Sequence, residues 1–371
     1  MTRPIRYVMI GGFLGAGKTT AIARLARMYQ ERGQKVGLIT NDQAADLVDT
    51  HSLRAQGFNV GEVAGACFCC HFNELTSTVE RLSVEERPDV ILAEPVGSCT
   101  DLVATVIQPL LRLFDHQYSI APYAVILKPS HGRRILEGGQ QAGFSSKAEY
   151  IFRQQLAEAD LILLNRVDEL GSEQQARLTE LIGCERPDAR LLPISAKTGD
   201  GFDELLAALD QPGEWGQRIL DVDYDVYAEG EAELGWLNAA AEFESANSFQ
   251  LDELLVDIIE RLRAALERDD AETAHVKVIG LYEGFFGVAN LVSRHTPAEL
   301  SLPSHCEAKE VELVLNARVA TDPAALEQHA RRAIEEAAKA VGANVAWRGA
   351  QSFRPARPVP THRFLAAGPG S

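Results

Sequence analysis

The octet Gly12-Phe13-Leu14-Gly15-Ala16-Gly17-Lys18-Thr19 constrains this chain more than any other stretch. It satisfies G-x-x-x-x-G-K-[ST], a phosphate-binding loop, at every position. Arg6 to Ile10 before it reads as a short buried strand. Thr19 to Gln30 after it has helical spacing, with Ile22, Leu25, Ala26 and Tyr29 on one face. A strand, a glycine loop and a helix N-terminus point several backbone N–H groups and a helix dipole at a polyphosphate. Gly12, Gly15, Ala16 and Gly17 then line the phosphates with Thr20 beside them. Lys18 reaches the β/γ-phosphates, and the Thr19 hydroxyl binds Mg²⁺.

The rest of the first half supplies what such a loop needs around it. Gln34 to Thr40 reads as a second strand ending at Asn41-Asp42. A carboxylate there is placed to hold Mg²⁺ or its water shell, and equally to form an Asx turn or cap the next helix. Gly65 to His71 carries Cys67, Cys69 and Cys70 in C-x-C-C spacing. Thiols this dense suggest Zn²⁺ or a similar thiolate-seeking metal, or redox chemistry, with apolar packing as the other reading. Consecutive residues of an extended segment point to opposite sides, so a bend is needed for all three to meet one ion. Asp89 to Ala93 is an apolar run suited to the centre of a parallel sheet. It leads to Glu94-Pro95-Val96-Gly97, which resembles the Asp-x-x-Gly that commonly ends this strand in P-loop GTPases, with glutamate in the aspartate position; the resemblance implies that Gly97 senses a γ-phosphate and Glu94 positions water. Leu161 to Leu164 runs into Asn165-Arg166-Val167-Asp168, and Leu191 to Ile194 into Ser195-Ala196-Lys197. A carboxylate at Asp168 accepts from two guanine donors that adenine does not present. Asn165 can secure the base, and a backbone N–H of the second loop can donate to guanine O6.

Charge and composition exclude several classes. Lys and Arg number 36 against 53 Asp and Glu, a net charge of −17. That balance argues against nucleic acid and against an anionic membrane surface. No apolar run reaches the ~18–20 residues that cross a bilayer. Met1-Thr2-Arg3-Pro4 leads straight into the first strand, so no signal peptide is expected. Six cysteines without a framework spacing fit a reducing cytosol.

Taken together, residues 5–210 resemble the CobW-like GTPases, relatives of the nickel-insertion GTPases of urease and hydrogenase. The shared features are the phosphate loop, C-x-C-C before the central strand, E-x-x-G and N-[KR]-x-D. The resemblance implies Mg²⁺-dependent hydrolysis of GTP, with Lys18, Glu94 and Asp42 in the chemistry. It implies a transition metal, zinc or cobalt, held by Cys67, Cys69 and Cys70. The partners it implies are GTP, a client metalloenzyme or cobalamin-related protein, and a second copy of the chain in a homodimer. Two features depart from the pattern. Asn41-Asp42-Gln43 stands where N-E-F is usual. The family's histidine-rich stretch is missing, since His131, His275, His295 and His305 are isolated, so a storage role is not expected.

Asp210 to Gly216 reads as a linker. Beyond it, Leu237-Asn238-Ala239 and Leu315-Asn316-Ala317 look like corresponding points of two repeats. Leu251, Leu254, Leu255, Ile258, Ile259 and Leu262 form a one-sided helical stripe, and a second helix spans about 323–340. The order β-α-β-β-α-β suggests a ferredoxin-like domain with one sheet face covered and one available. Tyr282 to Gly287 reads as a hairpin. The expected fold is therefore an α/β P-loop domain with a mostly parallel sheet over 1–212, an α+β ferredoxin-like domain over 213–352, and a disordered tail over 353–371. Two further readings stay open: a GTP-driven remodelling chaperone with structural cysteines, and a sensor of metal or nucleotide with negligible turnover.

Overall fold

A computed structural model describes residues 3–42, 48–65, 67–85, 87–114, 117–137, 145–293 and 295–367. Two compact units emerge, and they divide the chain differently from a simple break at residue 212. One takes in the described residues of 1–43, 58–230 and 357–371. The other takes in those of 44–57 and 231–356.

The first unit is built on an eight-stranded parallel sheet. Its strands are β1 (Ile5–Gly11), β2 (Val36–Asn41), β3 (Val60–Val63), β4 (Val90–Glu94), β5 (Tyr118–Ile120), β6 (Ala124–Leu127), β7 (Leu161–Leu164) and β8 (Arg190–Pro193). The order is β3-β2-β4-β1-β6-β7-β8, with β5 paired to β1. Every residue of β4, β6 and β7 is buried, which is why these segments read as continuous apolar runs rather than alternating ones. The sequence reading missed β3. At four residues, two of them half-buried, it carries too little pattern to stand out. Because the strands run parallel, the loops leaving β1, β2, β3, β4, β7 and β8 all emerge at one edge. That edge bears the phosphate loop, Asp42, the cysteine motif, Glu94–Gly97 and both candidate guanine loops.

The second unit is a six-stranded antiparallel sheet, β12-β11-β10-β13-β9-β14. The strands are β9 (Gly235–Gln250), β10 (Thr273–Tyr282), β11 (Phe285–Leu291), β12 (Glu299–Leu302), β13 (Glu307–Val319) and β14 (Ala343–Phe353). Stripping away β11 and β12 leaves the expected β-α-β-β-α-β path. The apparent repeat is real in register, with Asn238 directly opposite Asn316. Tyr282 pairs with Phe285 across Glu283 and Gly284, both at positive φ, which is the tight hairpin the twist of β10 and β11 favours. Helix Leu251–Arg268 lays its leucine and isoleucine stripe on one sheet face. Each fully buried side chain there contributes roughly 1.5–3 kcal/mol. Helix Pro323–Ala340 covers the same face; Asp322 caps it by accepting from the amides of Ala324 and Ala325. The opposite face is not left open along its length. Helix Val48–Ala55 reaches it, burying Val48 with Ile279, Val288 and Val314.

The tail corrects an expectation. Its composition suggested disorder, yet residues 357–367 are tied into the first unit. The Thr361 amide donates to Cys69 O at 2.8 Å and its hydroxyl to Cys70 O at 2.7 Å. Arg363 donates to Asp101 at 2.6 Å, and Arg112 stacks over the Phe364 ring. Arginine and proline predict a solvated chain only when no buried carboxylate is there to meet them, and Asp101 is 1% exposed.

Glu158 gives this unit a pH dependence. It is fully buried and accepts from Thr100 Oγ1 at 3.0 Å and the Val103 amide at 3.1 Å. Burial pushes its carboxyl up to about 8. The folded state thus favours the protonated form. Its contribution is complete below the ordinary carboxylate range and is lost as pH rises through about 8. Glu158→Gln is expected to match the unaltered protein near pH 5. At pH 9 it should be more stable by an amount on the order of a few kcal/mol. Denaturant titrations at the two pH values measure this, and parallel loss of stability in both proteins would count against it.

Candidate nucleotide and metal site

The phosphate loop has the backbone its glycines are needed for. Gly12, Gly15 and Gly17 sit at φ 131°, 69° and 99°. A Cβ at Gly12 would fall 2.1 Å from Ile126 O, so no larger residue fits. Helix Lys18–Glu31 follows with no side-chain cap, and its first-turn amides suit an anion. Lys18 is 7% exposed, with Nζ donating to Gly12 O at 3.0 Å. Gly97 lies against it: a Cβ there would come 3.0 Å from Lys18 Nζ and 2.8 Å from Leu14 Cδ2. The carbonyl of Gly97 is held by Gln155 Nε2 at 3.0 Å. His131, kept neutral by burial, packs edge-on against Phe13 of the loop.

Glu94 ends β4, is 6% exposed and accepts from Thr19 Oγ1 at 3.1 Å. Two oxygen donors in contact fit a hard cation such as Mg²⁺. Asp42 follows β2, its amide donating to Val63 O at 3.3 Å. Thr20 is exposed on the first helical turn.

Asn165 connects three loops. Its Nδ2 donates to Ala16 O at 2.8 Å, and its Oδ1 accepts from the Ala196 amide at 2.9 Å. The phosphate loop and the Ser195–Lys197 loop are therefore pinned by one side chain at the end of β7. Arg24 adds a second tie, donating to Ala196 O at 3.0 Å and Lys197 O at 2.7 Å. Sequence reading singled out Asn165 but missed Arg24 and Gln155, because a polar residue on a helix carries no local sign of a distant carbonyl. Arg166 takes a left-handed turn at φ 60°, and Asp168 follows, exposed, in the short turn Val167–Glu169.

The three cysteines do converge. Cys70 N and His71 N both donate to Cys67 O at 3.0 Å, which supplies the bend that an extended segment lacks. The Cys67 Sγ lies 2.8 Å from Cys69 Sγ and 3.4 Å from Cys70 Sγ, and the other pair is 3.7 Å apart. Cys67 and Cys69 are each 2% exposed and Cys70 is half-buried. Hydrogen bonding with the Cys69 and Cys70 thiols holds Cys67 well below the ordinary thiol range. The bond to Cys67 in turn pushes Cys69 upward and Cys70 up to about 11. Three thiols brought together in one turn are a ligand set that could hold a soft or borderline metal. The Val359 amide donates to Cys70 Sγ at 3.3 Å.

Asn41, the last residue of β2, hangs this turn on the sheet. It donates to Val63 O at 2.8 Å and accepts from the Phe68 amide at 2.8 Å.

Comparison with known proteins agrees with this assembly of motifs. Residues 6–193 match the family model described as CobW/HypB/UreG, nucleotide-binding domain. The zinc chaperone CobW of Pseudomonas aeruginosa is 28% identical over 212 residues, covering 49% of this chain and 54% of that protein. The zinc chaperone YeiR of Escherichia coli is 31% identical over 181 residues, covering 47% and 50%. The urease accessory protein UreG of Metallosphaera sedula is 28% identical over 220 residues, covering 55% of this chain and 92% of that one. The chain thus spans about half the length of the two zinc chaperones.

Proposed function

The chain belongs to the CobW/HypB/UreG nucleotide-binding family, and from that premise we propose that it hydrolyses GTP with Mg²⁺ and couples the cycle to holding and handing over a transition metal. One observation carries the coupling. Asn41 ends the strand that leads to Asp42 and, through its side chain, holds the Phe68 amide inside the cysteine turn. A shift at the β2 end on phosphate binding is therefore passed directly to the metal ligands.

In this reading Gly12 to Thr20 cradle the phosphates and Lys18 offsets charge on the β/γ-oxygens. The Gly97 amide meets the γ-phosphate. Thr19 and Glu94 would hold Mg²⁺ or its water shell, with Asp42 assisting, and the ion when bound neutralises phosphate charge. Glu94 also orients the attacking water. Asp168 reads guanine, while Asn165 keeps Ser195, Ala196 and Lys197 in line with the phosphate loop. Cys67, Cys69 and Cys70 take zinc or cobalt as cargo for a client metalloenzyme or cobalamin-related protein. Six free cysteines suit a reducing compartment such as the cytosol, and no described helix is long and apolar enough to cross a membrane.

The base is the direct test. A charge-assisted pair in a desolvated site is worth roughly 1.5–3 kcal/mol, so GTP should bind roughly ten- to a hundredfold more tightly than ATP. Asp168→Asn should erase most of that preference and admit xanthine nucleotides. Equal dissociation constants for GTP and ATP in the unaltered protein would refute the guanine assignment.

A further inference from the structure

The tail, residues 357–367, lies across the cysteine turn. In Pro358-Val359-Pro360 the prolines have no N–H, and the Val359 amide between them donates to Cys70 Sγ at 3.3 Å. Val359 is 71% exposed, so side-chain packing is not what holds it there. Thr361 then grips the same turn twice, its amide on Cys69 O at 2.8 Å and its hydroxyl on Cys70 O at 2.7 Å. Beyond these contacts the tail is anchored. Arg363 donates to Asp101 at 2.6 Å and to Leu220 O at 3.0 Å, and the Phe364 amide to Ala104 O at 3.1 Å. Asp101 is buried, so its pair with Arg363 is screened far less than a surface one.

Cys67 and Cys69 are each 2% exposed, and Cys70, the half-buried member of the set, is the one whose sulfur the tail bonds. An incoming ligand therefore meets the three sulfurs at Cys70, on the side where the tail lies. We propose that residues 357–367 are a strap that retains the metal in the cysteine turn, and that lifting the strap opens Cys70 to a client's ligand. The inference rests on the reading that Cys67, Cys69 and Cys70 hold metal, and it names what regulates its release. The Thr361 bonds fix the carbonyls of two ligand residues and so keep their sulfurs in one arrangement. The Val359 N–H bonds a thiolate directly and draws off part of its charge. Residues beside proline are confined to extended conformations before docking, so the strap loses little entropy on closing. Its anchor Asp101 stands four residues beyond Gly97, so one strap rests on both the cysteine turn and the segment leaving β4.

The test uses the full chain, reduced, without an affinity tag and loaded anaerobically with Co²⁺ alone. Thr361→Val combined with Arg363→Gln removes one grip and the anchor. That protein should bind Co²⁺ about 10-fold more weakly and release it to a chelator faster, since outer-shell partners of a metal are worth ~10–100-fold. Val359→Pro deletes the N–H that reaches Cys70. It should move the thiolate-to-cobalt charge-transfer band to lower energy, because a thiolate without that donor gives up an electron more easily. A strap that only packs would leave the band in place. Unchanged affinity, release and band across both variants would overturn the strap and leave the three-cysteine site standing. No such band in the unaltered protein would remove the metal reading, and the strap with it. A second measurement needs no variant, because whatever the strap adds to metal affinity, metal adds to strap docking. In the unaltered chain, bound Zn²⁺ should therefore slow amide exchange over residues 357–367 by about 10-fold. Equal exchange with and without Zn²⁺ would overturn the strap even if neither variant folds.

Discussion

Lys18→Ala is expected to cut GTP hydrolysis by at least ~10²–10³-fold, the loss typical of removing one preorganised group that stabilises transition-state charge. The Lys18 ammonium is buried, donates to Gly12 O and lies against the α-carbon of Gly97. In the proposed cycle it would offset negative charge on the β/γ-oxygens. The fold should survive, because the first strand, the helix stripe and the glycine conformations are untouched. Phosphate release under single-turnover conditions at saturating Mg²⁺-GTP measures the loss, and thermal unfolding checks the fold. Hydrolysis within threefold of the unaltered protein would mean that the phosphate loop is not where the reaction is driven.

The combined Cys67→Ser, Cys69→Ser, Cys70→Ser substitution should abolish tight binding of zinc or cobalt. A hydroxyl does not ionise at working pH and is a poor ligand for such metals. In the unaltered protein, a non-hydrolysable GTP analogue should tighten metal binding relative to GDP by roughly five- to 150-fold, the usual range of coupling between two sites. Linkage requires metal to tighten the analogue by the same factor. Chelator competition in both nucleotide states reads the coupling, and equal affinities would end the idea of GTP-gated transfer. Undiminished metal uptake by the serine protein would move the metal elsewhere, with His275, His305 and Cys306 next to be tried.

Where a residue's role is fixed by its own backbone or its immediate neighbours, the amino-acid order alone was enough. Gly12, Gly15 and Gly17 need φ values that only glycine adopts freely, and the apolar runs before Glu94 and Asn165 are legible because a central parallel strand is buried on both faces. Parallel strands then bring their C-terminal ends to one edge, so the grouping of Lys18, Glu94, Asp168 and Cys67 followed from order. The stripe from Leu251 to Leu262 was equally plain, since a helix repeats its face every three to four residues.

Tertiary structure decided what depends on residues far apart in the chain. Strand β3 is too short to show a period, and β11–β12 extend a sheet whose edge no local pattern defines. Helix Val48–Ala55 follows the β2 end in sequence but finds its apolar partner at Val288 and Val314. The tail is ordered by Asp101 and by the carbonyls of Cys69 and Cys70, none of which its own composition discloses. Asn41, Asn165 and Arg24 act through side-chain bonds spanning 22 to 173 positions. Local conformation is written in neighbouring residues, whereas a contact between two strand ends is set by the order in which the sheet is assembled.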